Sequence, residues 1–191
     1  VGNMMEVNLS GDPADRTVRV VYDVVRRWAP MLRKGTRASI KTRGLPQTAG
    51  ALRQLVYIDA MVPLPGEGWG SHHAPEIVAA RTAAAAANDN ALPPPDPRDM
   101  GVEGADRDWL LRRQVPHPFG PYREPMPFDG ERWAAVPRTF IDCNQPAYPT
   151  IDGARQRVRS QPGWRIAVLP TGHCPMVSAS DLLVEQLLAL A

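Results

Sequence analysis

Cysteine, aromatic rings, long apolar runs and an excess of either charge are all scarce in this chain, and each shortage removes a class of function. Two cysteines, Cys143 and Cys174, are too few for a disulfide framework, so a reduced, cytoplasmic protein is the expectation. Aromatic residues make up 6% of the 191 residues, too few for a platform on which nucleic-acid bases stack. The 22 basic and 20 acidic residues give a net charge of +2, too near neutral for a dedicated nucleic-acid binder. No apolar run approaches the roughly 18 residues that span a bilayer. The amino end, which opens on Val1, carries no basic-then-apolar export signal. The expected partners therefore include neither nucleic acid nor membrane.

Proline is present in excess. There are 21 prolines, about 11% of the chain against an ordinary 5% or so. Thirteen of them lie between Pro63 and Pro137, among them Pro93-Pro94-Pro95-Asp96-Pro97. That density predicts an insertion of short helices joined by stiff extended segments. One helix is expected to begin at Pro75, since proline suits the first helical position, and to run through Ala83 to Ala87 with a stop at Asn88. A second is expected over Ala105 to Gln114.

The flanks of the insertion differ. Leu55-Val56-Tyr57-Ile58, Arg138-Thr139-Phe140-Ile141 and Arg165-Ile166-Ala167-Val168-Leu169 are short β-rich runs bounded by turn or polar residues, which suits buried strands of a parallel sheet. Helices are predicted over Ile151 to Ser160, ended by Pro162-Gly163, and over Ser178 to Leu190. In the second, Ser178 caps and Leu182, Leu183, Leu187 and Leu190 form an apolar stripe. Strand, crossover helix, strand, helix is an α/β pattern.

The first 50 residues read as an atypical segment. A helical pattern over about 13–29 puts Val18, Val21, Val25 and Trp28 on one face. A basic stretch over 31–48 follows, with Arg33, Lys34, Arg37, Lys41 and Arg43. It reads as a solvated loop in preference to an anion or nucleic-acid patch, because no aromatic residues interleave the charges.

The strongest local signal is Thr171-Gly172-His173-Cys174-Pro175-Met176, after a strand and before the final helix. Open α/β sheets place their sites at the carboxyl ends of strands, where this histidine would lie. Together with Leu55 to Pro63, Pro137 to Ile141 and Pro162-Gly163-Trp164-Arg165, it resembles α/β-hydrolase-fold proteins, in particular their bacterial esterase-like branch. Gln114 to Pro127, with His117-Pro118 and Tyr122-Arg123-Glu124-Pro125, is similar to the lid of that branch. The resemblance covers about residues 51–191. It implies a partial α/β-hydrolase fold, a mostly parallel sheet with a helical lid insertion. The core would comprise 51–65 and 136–191, and the proline-rich lid 66–135.

The resemblance also implies roles. His173 corresponds to the general base, which needs a carboxylate to fix its tautomer and steady the imidazolium. Asp59, ending the strand before the lid, is the preferred acid and Asp142, ending the next strand, the second. At the family's commoner acid position this chain has Asn144-Gln145-Pro146 and no carboxylate. The nucleophile motif G-x-S-x-G is absent. Ser10 and Ser39, the serines upstream of Leu55, lack its flanking glycines, and the oxyanion-hole segment is not found either. Cys174 adjoins His173, but sequence neighbours on a turn point apart, and both thiols read as buried and inert. His72-His73 offers no metal-ligand spacing, so no metal and no cofactor are expected. Trp69, Trp109 and Phe119 are candidates to line an apolar acyl pocket, with packing as the equal alternative.

The expected activity is hydrolysis of a small ester or related acyl substrate through an acyl-enzyme. The alternatives are an inactive, truncated or rearranged remnant with a degenerate triad, and a ligand-binding module that keeps the pocket. A homo-oligomer is also open, since a sheet lacking its central strands exposes unpaired edges.

Overall fold

The computed structural model describes residues 54–190. The helical pattern over 13–29, the basic stretch over 31–48, Ser10 and Ser39 lie outside the described residues. Among the described residues three parallel strands form the main sheet: β1 (Leu55–Ile58), β4 (Arg138–Cys143) and β5 (Trp164–Leu169), in the order β1-β4-β5. The register aligns Leu55 with Arg138 and Ile58 with Ile141, and on the other side Arg138 with Trp164 and Cys143 with Leu169.

Side chains alternate between the two faces of a strand, and the core divides accordingly. Leu55, Tyr57 and Phe140 join Ile151, Ala154 and Val158 in one buried cluster, which also takes in Met100, Val102 and Leu110. Val56, Ile58, Ile141 and Cys143 join Leu183 and Leu187 in the other. With a layer on each face, β1 and β4 are buried throughout, which is why β1 reads as an unbroken apolar run; β4 carries Arg138, Thr139 and Asp142 among its buried residues. The third run behaves differently. β5 has one neighbour among the described strands, and Arg165, Ile166 and Val168 on it are exposed.

Between β1 and β4 the chain makes a long excursion. Pro75 opens helix α1 (Pro75–Ala86), and Ala87 closes it. Asp89 and Asn90 then adopt positive φ angles of 48° and 55°, turning the chain into β2 (Ala91–Leu92). That strand pairs antiparallel with β3 (His117–Pro118), a ribbon that the proline content did not suggest. Helix α2 (Gly104–Leu111) is shorter than the expected 105–114, because the amides of Arg113 and Gln114 both donate to Leu110 O and close the last turn. The short helices α3 (Gly120–Arg123) and α4 (Gly130–Ala135) complete the excursion. Asp129 caps α4, accepting from the amides of Glu131 and Arg132 at 3.0 and 3.1 Å.

Helix α5 (Asp152–Ser160) links β4 to β5. The expected final helix is two: α6 (Pro175–Ser178) and α7 (Ser180–Leu188), broken at Ala179 with φ −153° and ψ 46°. Ser178 is therefore not a cap. It ends α6, and its Oγ donates to Cys174 O at 3.2 Å. Leu183 and Leu187 face the sheet, while Leu182 is exposed, so the apolar stripe is narrower than its sequence pattern. Among the described residues no helix is long and apolar enough to cross a membrane.

Candidate active site

Two chain turns at the carboxyl ends of the strands bring the site together. At the end of β1, Asp59 leaves the extended conformation with φ 41°, in the left-handed region that aspartate tolerates better than most side chains. Its amide donates to Ile141 O at 2.8 Å, which anchors the turn to β4. After β5, Thr171-Gly172 turns the chain back and His173 donates its amide to Met100 O at 2.9 Å. Glycine is required here. A Cβ on Gly172 would stand 2.5 Å from Met100 O and 3.0 Å from the Cα of Gly101. The excursion therefore meets the His173 loop backbone to backbone.

The two side chains meet. His173 Nδ1 lies 2.8 Å from Asp59 Oδ2, with both residues buried. The carboxylate accepts, so Nδ1 carries the proton and the lone pair of the neutral imidazole sits on Nε2. The ring of Tyr148 tilts against the imidazole at a centroid distance of 4.5 Å. Asp142 is differently engaged. Its Oδ1 accepts from Arg155 Nε at 2.7 Å and its Oδ2 from Arg159 Nη2. Both of its oxygens are turned toward α5.

The cysteines separate. Cys143 belongs to the cluster on the α7 face and Cys174 to the cluster on the α5 face, and both are unbridged. Burial pushes the Cys143 thiol up to about 12 and that of Cys174 up to about 11. Neither forms a thiolate near neutral pH, so neither has the character of a reactive thiol. Among the described residues no group of three or more His, Cys, Asp or Glu side chains is gathered to hold a metal.

The three aromatic candidates scatter. Phe119 is buried with Ala85 and Leu92 in a small separate cluster and stacks with Tyr122. Trp69 packs on His73 and Tyr122. Trp109 leans on the cluster that holds Met100 and Cys174, with the Arg113 guanidinium 4.4 Å over its ring.

Sequence reasoning passed over Arg155, Tyr148 and Met100. Arg155 is visible in retrospect, because Arg155 and Arg159 stand one helical turn apart on a face that must lie against the strand ending in Asp142. Tyr148 and Met100 leave no such signal. Their placement depends on a loop and on the excursion's path.

No family model matches the chain. Over 151 residues it is 29% identical to a carbendazim hydrolyzing esterase of Nocardioides sp. (strain SG-4G), a match that takes in 74% of this chain. It spans 62% of that relative's length. Among solved structures it is similar to an extracellular α/β-hydrolase from a Paenibacillus species, with a TM-score of 0.61 at 16% identity, covering 95% of this chain and 84% of the other. A pyrethroid hydrolase from Sphingobium faniae JZ-2 gives 0.53 at 18% identity, with 96% and 79% covered. A methylesterase from Arabidopsis gives 0.51 at 15%, with 96% and 84% covered. The chain is a partial α/β-hydrolase by fold, and its sequence resembles the esterase-like branch of that fold.

Proposed function

We propose that the chain supplies the acid–base half of a site that hydrolyses a small ester or related acyl substrate, with His173 as general base and Asp59 holding it. The observation that carries this reading is the 2.8 Å contact between His173 Nδ1 and Asp59 Oδ2, buried at the carboxyl ends of the strands. In the reaction, Nε2 of His173 takes the proton of an attacking hydroxyl as its oxygen bonds to the acyl carbon. It returns that proton to the departing alcohol as the ester bond breaks. A water then repeats the cycle on the acyl-enzyme. Asp59 accepts from Nδ1 throughout and steadies the imidazolium. Residues 66–135 act as the lid. Trp109, packed against the buried cluster that includes Met100 and Cys174, is the lid ring that would wall an acyl group, whereas Trp69 and Phe119 serve the lid's own packing. Two unpaired, buried thiols support a reducing, cytoplasmic setting.

The missing G-x-S-x-G favours a second reading: a remnant with a degenerate triad that retains the pocket without turnover. A fluorophosphonate, which bonds only to an activated hydroxyl, separates the two. Labelling of a single serine, lost in His173→Ala, supports the hydrolase. A folded chain that takes no label and turns over no short-chain ester belongs to the second reading.

A further inference from the structure

We propose that Arg155 is the positioning residue of this site, a buried guanidinium that sets the plane of Asp59 so that one carboxylate oxygen is presented to His173. The inference rests on the hydrolase reading above for its catalytic meaning, but its geometry stands independently.

A guanidinium carries five N–H donors in a rigid planar fork, and at Arg155 all five find acceptors. Nε donates to Asp142 Oδ1 at 2.7 Å. Nη1 donates to Tyr148 O and to Asp152 Oδ1, each at 2.8 Å. Nη2 donates to Asp59 Oδ1 at 2.6 Å and to Cys143 O at 2.9 Å. The side chain is 5% exposed. One residue of α5 therefore joins the end of β1, the end of β4 and the loop whose Tyr148 ring lies against His173.

The division of oxygens at Asp59 is the decisive detail. Oδ1 is taken by Arg155 and Oδ2 faces His173 Nδ1. A carboxylate is planar, so fixing Oδ1 on a rigid fork fixes the direction of Oδ2. Asp59 is fully buried, and a buried carboxylate left without partners carries a large desolvation cost. Arg155 offsets that cost with a charge-assisted hydrogen bond to Oδ1. Arg159 makes the arrangement affordable, since its own pairing with Asp142 leaves Arg155 fewer uncompensated negative charges to serve. Lysine is no substitute, because a single ammonium cannot bridge three carboxylates and two carbonyls in one plane.

The test compares the full chain with Arg155→Lys and Arg155→Met in two measurements. In steady-state turnover of a short-chain p-nitrophenyl ester, Arg155→Met is expected to lower kcat about 100-fold, the scale of a misaligned catalytic group, with KM little changed. Arg155→Lys is expected to fall between it and the wild type. A loss of packing alone would lower the amount of folded enzyme without changing kcat per folded site or the Nδ1–H resonance of His173. In proton NMR of the 15N-histidine-labelled chain, the downfield Nδ1–H resonance of His173 is expected in the wild type and lost in Arg155→Met, as in Asp59→Asn. Should Arg155→Met fail to fold, the double variant Arg155→Gln with Asp142→Asn removes a buried negative charge together with the positive one and carries the same expectation. A folded Arg155 variant that keeps the resonance, or keeps kcat, overturns the proposal. The NMR measurement needs no turnover, so absence of ester hydrolysis would sink the hydrolase reading alone.

Discussion

His173 and Asp59 form the contact on which the functional account depends, and the neighbouring acid shows why this pair differs from others nearby. Asp142 ends a strand next to the one ending in Asp59, yet its two oxygens are spent on Arg155 and Arg159. Asp59→Asn is therefore expected to lower kcat/KM about 10³- to 10⁴-fold, as loss of a triad carboxylate does. Asp142→Asn is expected to cost less than about 10-fold, since it perturbs the imidazole only through Arg155. Comparable losses in the two variants, read by the same ester assay, would contradict this division. The cysteines carry a separate expectation. With their thiols pushed to about 12 and about 11 by burial, Cys143 and Cys174 should resist an aromatic disulfide reagent at pH 8 in the folded chain. Both should react at once in guanidinium; prompt labelling of the folded chain would be the opposing result.

At the scale of elements, the site depends on the contact between the His173 loop and the Met100-Gly101 turn. Gly101 has φ 74°, and a Cβ there would lie 2.7 Å from Pro146 Cδ. Gly172 is equally crowded, and its obstacle is backbone. Gly172→Ala should therefore displace His173 from Asp59, lowering both kcat/KM and the unfolding midpoint. Overpacking of this kind destabilises by about 1–3 kcal/mol. An unchanged thermal midpoint with unchanged turnover would show that the loop absorbs the methyl group.

The same element explains what the sequence could and could not reveal. Leu55 to Ile58 is legible because a strand covered on both faces is apolar along its length, and Arg138 to Cys143 because Thr139, Phe140 and Ile141 at its centre are β-branched or aromatic. Pro75 marks a helix start by its fixed φ. The glycine before His173 marks a turn, and the strand before it puts that turn at a carboxyl end. What fills the space around His173 is less legible. Met100 and Tyr148 reach it from segments whose paths depend on packing over long sequence separations, and their own types are those of any core residue. The split at Ala179 is similarly hidden, since alanine favours helix and nothing local announces the break. Asp59 lay between these cases. Its position at a strand end was visible, while its partner could be named only through a resemblance.

Across the whole molecule, the excursion between β1 and β4 is tied to the sheet layer by a polar latch at its start. Arg157 on α5 donates to Val62 O at 2.7 Å and to both oxygens of Glu67 at 2.5 and 3.0 Å. The Arg157 hydrogen bonds hold the Glu67 carboxyl below its usual range despite partial burial. His72, 3.4 Å from Glu67, is held below the usual imidazole value by its burial and then by Arg157, and His73 mainly by burial. A histidine whose value is lowered on folding binds its proton more readily when unfolded. Stability is therefore full above about pH 6.5 and declines as pH falls from there toward the folded-state values. The lowered Glu67 acts in the same direction at more acid pH, its contribution being lost as pH falls through its folded value. The unfolding midpoint is expected to be lower at pH 5.5 than at pH 7.5, with the difference reduced when His72 and His73 are both replaced by Gln. A midpoint that rises on acidification would reverse the argument.

The function proposed for this site requires that the imidazole held by Asp59 move protons for ester cleavage. The direct measurement is turnover of a short-chain p-nitrophenyl ester by the purified chain and by His173→Ala, with folding checked by circular dichroism. Turnover in the wild type that falls by about 10³-fold or more in the folded variant, the scale of losing the catalytic base, is the expected result. No turnover in the wild type, or equal rates in the two, would contradict it.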